Sequence, residues 1–560
     1  MLRIRNQEVP GSNPVSSTSQ RITSLPGPLL GWVTVTPVNQ TPAHVVMLRA
    51  SDVTQDARVK KMAVTLQRLG LRVTVVCRAP EGTEVGEPAE SSLGPVRVLR
   101  VPAPPYYSDA LGVQRRRHRT AAGRWVPPTS AIRLRRLQGE LLAAERAAAR
   151  GRLLAPDAGL PDRFSAAVVE VRWLLNRVGR RLQRARRDVA EALDGRVQAA
   201  VARTEARRSG RRRGTSWRRE LVGVREFELR VAALVDGLEP DVLHAHDVSV
   251  LGLAVDAADR ARALGREVPV VYDAIENWAG MPREEWGTVR RHEALLRLEQ
   301  EYAHRAAAVL TVSEPIADAL RERLRLEERP LVVLNAPPFE AVARLPQRRV
   351  REAAGVAPGT PLAVYSGSVS AARGLDTLIR AMPLLDGVHL AVVTVPFPHP
   401  SWPALEALAA ELGVTDRVHA VPPVDPTELI GFLQDADAGV HTLPSGSVNH
   451  EMALPNKLFE YLHAGLPLVV SDAREMAGFV REHHLGAVYR SGDPESLAAA
   501  VRQVLAEPRP DVDRVGRLAA QYSWQAQEPQ VAAAYTRALG RPVPAPADDL
   551  SFELPAEEPA

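Results

Sequence analysis

The sequence predicts an α/β protein built from two parallel-sheet domains, and two observations carry that prediction. Short Val- and Leu-rich runs alternate with helical stretches throughout: HVVML, VTVVC, DVLHA, VPVVYD and AVLTVS first, then LAVYSG, HLAVVT, AGVHTL and LPLVV. Runs that apolar, joined by crossover-length helices, are strands covered on both faces. Gly367, His246, Asp247, Asp273 and Asp472 fall at the C-terminal ends of such runs, which is where open α/β sheets bind ligands. A cleft between the two domains is the expected active site.

The 560 residues, 45% of them hydrophobic, are enough for about three to four domain-sized units. The expected organisation is a structureless opening segment (1–42), a first domain in two pieces (43–105 and 226–340), and an Arg-rich helical insertion (106–225) between those pieces. A second domain (341–522) follows, joined through residues 340–347, then a helix crossing back to the first domain (523–540) and a Pro-rich, acidic tail without structure (541–560). The opening segment has no uninterrupted apolar stretch of a secretory signal and also looks like translated non-coding sequence.

Composition removes several function classes. The lone cysteine, Cys77, excludes an intramolecular disulfide or a cysteine zinc cluster, and as the end of an apolar strand it is expected in the core. No run of 18 apolar residues exists, so no spanning helix is expected. The reading is a protein of the reducing cytosol, either soluble or peripheral at the inner face of the plasma membrane.

Charge is unevenly distributed. Residues 113–220 hold 28 Arg against 10 Asp and Glu, a surplus of 18 inside a chain whose formal net charge is +5. Within them Phe164, Val168, Val171, Leu175, Val178 and Leu182 recur at spacings of 4, 3, 4, 3 and 4, with Arg172, Arg177, Arg180 and Arg181 among them. This pattern is a cationic amphipathic helix. Three roles compete for it: a hairpin folded on itself or paired with a second subunit as a homodimer, an anchor on an anionic membrane surface, and a nucleic-acid arm. Nucleic acid is disfavoured, because Trp125, Trp173 and Trp217 are too far apart to interleave with the arginines.

The chain uses lysine at three positions, Lys60, Lys61 and Lys457, and arginine otherwise. Lys457 stands in ALPNKLFEYLHAGLP, where Pro455 suits a helix start, Gly465 its left-handed end, and the following LPLVVSD a buried strand. Lys457 and Glu460 then share one face beside a helix N-terminus near Asn456. That N-terminus and the ammonium suit phosphate, and the carboxylate suits sugar hydroxyls, so the group reads as a nucleotide site. An exposed ion pair is the alternative. In VYSGSVSAARGLDTLIRAM, a strand ends at Gly367 and Arg373-Gly374 opens a helix, an arrangement in which backbone and guanidinium can approach a diphosphate.

These segments, with YSWQAQEPQVAAAYTRAL near the end, resemble the family 4 retaining, nucleotide-sugar-dependent glycosyltransferases of GT-B fold. HVVMLRASDVTQDARVKKMAVTLQRLGLRVTVVC, PDVLHAHD, VPVVYDAIENW, AAVLTVSE and LVVLNAP resemble that family's first domain in the same order. The resemblance covers residues 44–104 and 226–540. It implies Arg373 and Lys457 on the donor diphosphate, Glu460 on the ribose, Gly367 and Asn456 lining the donor site, and no metal or other cofactor. It further implies a glycan or lipid-linked acceptor, and envelope or surface polysaccharide synthesis.

Two departures stand out. Where the family often has a glutamate eight residues before Glu460, this chain has Met452, with Glu451 one place off; where relatives tend to have histidine after YD-x, it has Ile275. Asn449, His450, Glu451, Asp273 and Glu276 are candidate sugar or acceptor contacts, His450 having the alternative of an exposed loop side chain. His246 and the adjacent Asp247 are candidates for catalysis, with core or loop-capping roles as their alternative. The other function classes left open are a catalytically silent scaffold on the same fold, a nucleotide-sugar epimerase and a sugar phosphorylase.

Overall fold

The computed structural model describes residues 42–560 apart from 55, 81–82, 84–87, 103–137, 140–141, 144, 151, 154–158, 193–216, 282–288, 340–347, 370–372, 545–551, 553–556 and 560. The opening segment, the 340–347 connection and much of the insertion therefore lie outside the described residues.

The first sheet begins with β1 (His44–Leu48), followed by helix α1 (Ala57–Arg68), β2 (Arg72–Arg78), β3 (Ala89–Leu93) and β4 (Val96–Val101). After the insertion come α3 (Val222–Gly237), β5 (Val242–His246), α4 (Leu251–Ala263), β6 (Val270–Ala274), α5 (Val289–Tyr302), β7 (Ala308–Thr311), α6 (Glu314–Leu324) and β8 (Leu331–Val332). With β15 (Glu557–Pro559), the order is β15-β3-β4-β2-β1-β5-β6-β7-β8. All pairings are parallel except β3 with β4 and with β15. Both faces are covered, so the strand interiors are apolar; Cys77 is fully buried among them, as a core residue.

The second sheet comprises β9 (Leu362–Ser366), β10 (His389–Val393), β11 (Val418–Val421), β12 (Ala438–His441), β13 (Leu468–Ser471) and β14 (Gly486–Tyr489), parallel throughout in the order β11-β10-β9-β12-β13-β14. Helix α7 (Leu375–Ala381) follows β9, and α9 (Val448–Met452) and α10 (Asn456–His463) follow β12. Each sheet reverses its winding once among its parallel strands, between β1 and β5 in the first and between β9 and β12 in the second. Loops diverge at such switch points and leave a crevice at the carboxyl ends of the strands.

The chain returns to the first domain through Trp524 and α14 (Glu528–Leu539). Trp524, Val531, Ala534 and Tyr535 are fully buried against Met47, Met62 and Val75, and the Trp524 indole donates to Thr65 Oγ1 at 2.8 Å. The tail beyond 540 differs from the expectation of no structure: Phe552 is buried with Arg68 over its ring at 5.6 Å, and β15 extends the sheet. Apolar burial at Phe552 and a free strand edge outweigh the polar composition around them.

In the insertion, α2 (Leu160–Ala192) runs 33 residues and packs on the helical backbone at 145–150. Arg146 donates to Glu170 Oε1 at 2.6 Å and lies 4.0 Å over the Trp173 ring. Trp524→Ala is expected to lower stability by about 3–5 kcal/mol, read as the unfolding midpoint in urea, because it empties a fully buried volume and removes the indole's hydrogen bond to Thr65. An unchanged midpoint would mean the crossover does not clamp the first domain.

Candidate active site

At the switch point of the second sheet, β9 ends at Ser366 and the backbone turns at Gly367, φ 149°. A Cβ there would lie 3.6 Å from Lys457 Cε, so the two segments singled out in the sequence meet in space. Lys457 reaches this point because α10 is seated through Tyr461. The Tyr461 hydroxyl accepts from Ser366 N at 2.8 Å and donates to the Val440 carbonyl at 3.3 Å, and its ring lies where a Cβ on Gly439 would come within 2.5 Å. Gly374, φ 66°, starts α7 against the Thr442 carbonyl, and Thr442 Oγ1 donates to the Arg373 carbonyl at 2.6 Å.

Lys457 Nζ donates to both Glu460 oxygens, at 2.8 and 3.2 Å, and Asn456 Nδ2 to one of them at 3.2 Å. Residues Asn456, Lys457 and Glu460 thus form one polar cluster at the start of α10. Between the cations lies His441, buried, with both ring nitrogens unpartnered. Burial first, then Arg373, Lys457 and His450, lower its pKa to about 3, so it is a neutral imidazole beside two fixed cations.

The second group of expected contacts crosses the domain boundary. Asn449 accepts from Asn277 N at 3.1 Å and donates to Glu276 Oε2 at 3.0 Å, and Ser313 Oγ donates to the Met452 carbonyl at 2.7 Å. Met452, in place of a glutamate, accepts a long contact from Asn277 Nδ2 at 3.5 Å. His450 is buried rather than exposed, because its Nδ1 is held 2.8 Å from the Pro444 carbonyl. Glu451 accepts from Gly446 N and Arg474 N, both at 2.8 Å, so it braces the loop with both oxygens.

Asp273 does not face the cleft. Arg58 binds both its oxygens, at 2.8 and 2.9 Å, and His246 Nδ1 lies 3.0 Å from Oδ2. Burial pushes this carboxyl up, but Arg58 and His246 outweigh it and hold the group well below the usual range. His246 is likewise covered, with neither ring nitrogen open to solvent. Asp247 is the backbone outlier, φ 89°; its carboxylate caps the following turn at Val248 N, 2.6 Å, and lies 3.5 Å from Arg49. A non-glycine residue there costs on the order of 1–3 kcal/mol, a strain that tends to mark ligand-facing turns. Ile275, where a histidine was expected, is half-buried after β6. Asp472 accepts from Ser491 N at 3.1 Å.

The pattern described as Glycosyltransferase Family 4 fits residues 163–336, and that described as Glycosyl transferases group 1 fits 360–507. The chain belongs to the family 4 glycosyltransferases. It is 25% identical over 328 residues to the D-inositol 3-phosphate glycosyltransferase of Nocardia farcinica, covering 50% of this chain and 70% of that one. It is 26% identical over 347 residues to the MMP alpha-(1->4)-mannosyltransferase of Mycolicibacterium hassiacum, covering 58% and 78%. The sucrose-phosphate synthase of Thermosynechococcus elongatus shares the fold, with a TM-score of 0.54 at 14% identity over 89% of this chain and 99% of that one. The two-domain architecture is GT-B.

Among the described residues of this glycosyltransferase one cluster, His244, His246 and Asp273, has the donor atoms of a metal site, all within 4.8 Å. Arg58 already places a cation on both Asp273 oxygens, and the Tyr535 hydroxyl meets His244 Nδ1 at 2.8 Å, so the donor set does not fit a metal. A cavity of about 710 Å³ opens away from the switch points, beneath α2. Its charges pair with one another, Arg225 with Glu228 at 2.8 Å and Arg260 with Asp236 at 2.7 Å.

Sequence reasoning missed Lys61. On α1 its Nζ donates to Asn335 Oδ1 at 3.0 Å and the Ala336 carbonyl at 2.5 Å, and lies 4.6 Å over the Trp524 ring. Burial and then Arg58 lower its pKa to about 7, against the pull of Glu460 and Asp56. The rarity of lysine in this chain was the available signal. Between about pH 7 and about pH 10 the unfolded chain holds this proton more fully than the fold does, so the contribution of Lys61 makes stability rise with pH across that window. Lys61→Met is expected to flatten the rise, measured as Tm against pH; an unchanged slope would mean the folded ammonium keeps its proton.

Proposed function

We propose that this glycosyltransferase moves a hexosyl group from a nucleotide sugar to a glycan or lipid-linked acceptor, with retention of anomeric configuration and without metal, in envelope or surface polysaccharide synthesis. The meeting of Gly367, Lys457, Asn456 and Glu460 at the β9/β12 switch point, with Arg373 opening the next helix, carries the reading. The donor diphosphate lies against Lys457, Arg373 and the N–H groups at the start of α10, and Glu460 accepts from ribose hydroxyls. As the glycosidic bond lengthens, negative charge grows on the leaving diphosphate. Two fixed cations and the helix dipole meet that charge without a metal ion.

The acceptor approaches from the first domain, across the Asn449–Glu276 boundary. Glu276 and Asn449 contact the sugar or acceptor, whereas Glu451, His246, Asp247 and Asp273 position the loops that do so. No titratable side chain replaces the histidine at Ile275, so the leaving phosphate is the group that takes the acceptor proton in a front-face attack. A lipid-carried acceptor would place the enzyme at a membrane surface.

The test is a thermal-shift and transfer screen of the full chain with UDP-, GDP- and ADP-sugars. One nucleotide family is expected to stabilise the protein by about 2.7 kcal/mol at a hundredfold excess over Kd. Lys457→Ala is expected to weaken that binding at least about tenfold, or about 1.4 kcal/mol, and EDTA to leave transfer unchanged. No response to any nucleotide sugar would favour the silent scaffold, to which Ile275 and Met452 also point. Turnover of donor without acceptor would favour an epimerase, and a requirement for phosphate a phosphorylase.

A further inference from the structure

The apolar ridge of α2 is exposed along its length, with Leu175 also bordering the mouth of the cavity beneath the helix. Phe164 is 75% exposed, Val171 55%, Leu175 67%, Val178 54% and Leu182 53%, with Val168 and Leu160 on the same line. Eight of the fifteen large apolar side chains exposed among the described residues lie on this one helix. Its inner face includes Ala166, Val169, Trp173 and Asn176, with Arg146 over the Trp173 ring and Asn176 and Arg180 against Gly139. A surface helix ordinarily turns its apolar stripe inward, so the arrangement here is inverted.

Charge decides what covers the ridge. At 3.6 residues per turn, Arg172 borders it on one side, exposed but paired with Glu145 at 3.3 Å, and Arg163 and Arg181 border it on the other, both exposed. The acid within this stretch of exposed ridge, Glu170, points inward and binds Arg146 and Arg150. Pairing with a second copy through the 4, 3, 4, 3, 4 seam would set these arginine rows against each other inside a segment already carrying a surplus of 18 positive charges. An anionic bilayer satisfies both features at once, since apolar side chains enter the acyl boundary while arginines meet lipid phosphates.

We propose that α2 is a membrane-docking helix, which seats the Phe164 to Leu182 ridge in the interface of an anionic lipid bilayer. The proposal deepens the reading of a lipid-carried acceptor and rests on that reading only for its purpose, because docking needs no bound sugar. No described helix is long and apolar enough to cross the bilayer, so attachment is by this face alone among the described residues.

The test is sedimentation of the full chain with lipid vesicles of about 30% phosphatidylglycerol and with vesicles of phosphatidylcholine alone. Binding is expected to the anionic vesicles and not to the neutral ones, and to fall as salt rises. Val171→Glu combined with Val178→Glu is expected to reduce binding at least about tenfold. These positions are exposed, so the circular dichroism spectrum and the nucleotide-sugar thermal shift of the variant should be unchanged. Equal binding by variant and wild type, or no preference for anionic lipid, overturns the proposal. So does a dimer in analytical ultracentrifugation that the same variant dissociates while vesicles go unbound, which would assign the ridge to a second copy. A protein that docks but does not transfer leaves this inference standing and removes the enzymatic reading; transfer without docking does the reverse.

Discussion

The position of Lys457 in the candidate site depends on how α10 is seated by Tyr461. One hydroxyl accepts from the end of β9 and donates to β12, the two strands that flank the switch point, while its ring lies flat against Gly439. The contact is fully buried, so its polar groups have no water to fall back on and its geometry is fixed. From that seat Lys457 reaches the turn at Gly367, and Glu460 faces the first domain. A side chain larger than hydrogen at 439 would lift the helix and carry the ammonium away with it.

A second constraint joins the domains. The connection before residue 340 and the return at Trp524 meet at one place, where Lys61 holds Asn335 and Ala336 and lies over the indole. Trp524 N also donates to the Pro337 carbonyl at 2.9 Å. Both chain crossings are thus tied to α1. Because Glu460 acts electrostatically on Lys61, the carboxylate at the start of α10 and this locus are coupled.

The periodic features were legible in the sequence. Strand and helix runs, the shared face of Lys457 and Glu460, and the cationic helix are written in local pattern, because spacing sets which side chains share a face. What was not legible depends on partners distant in the chain. Asp273 looked like a cleft residue by its place after a strand, but Arg58, 215 positions away, takes both its oxygens. His450 read better as an exposed loop side chain, but its ring is buried against the Pro444 carbonyl. The positive φ of Asp247 has no local signature, since glycine or asparagine would ordinarily mark such a turn. Polar composition concealed the tail, where one phenylalanine anchors a segment that otherwise reads as unstructured.

That tail has a consequence for how the molecule behaves in a crowded cell. A sheet edge offers a row of unpaired amides and carbonyls on which another chain can add a strand. On one side of the first sheet the row belongs to β3, and residues 557–559 run antiparallel along it, Glu557 opposite Leu93 and Pro559 opposite Ser91. Residues 557–559 then form the outermost strand, and Pro559 in it has no amide hydrogen to offer. On the opposite side β8 is two residues long. Both borders of the nine-stranded sheet are therefore poor templates for the addition of another strand.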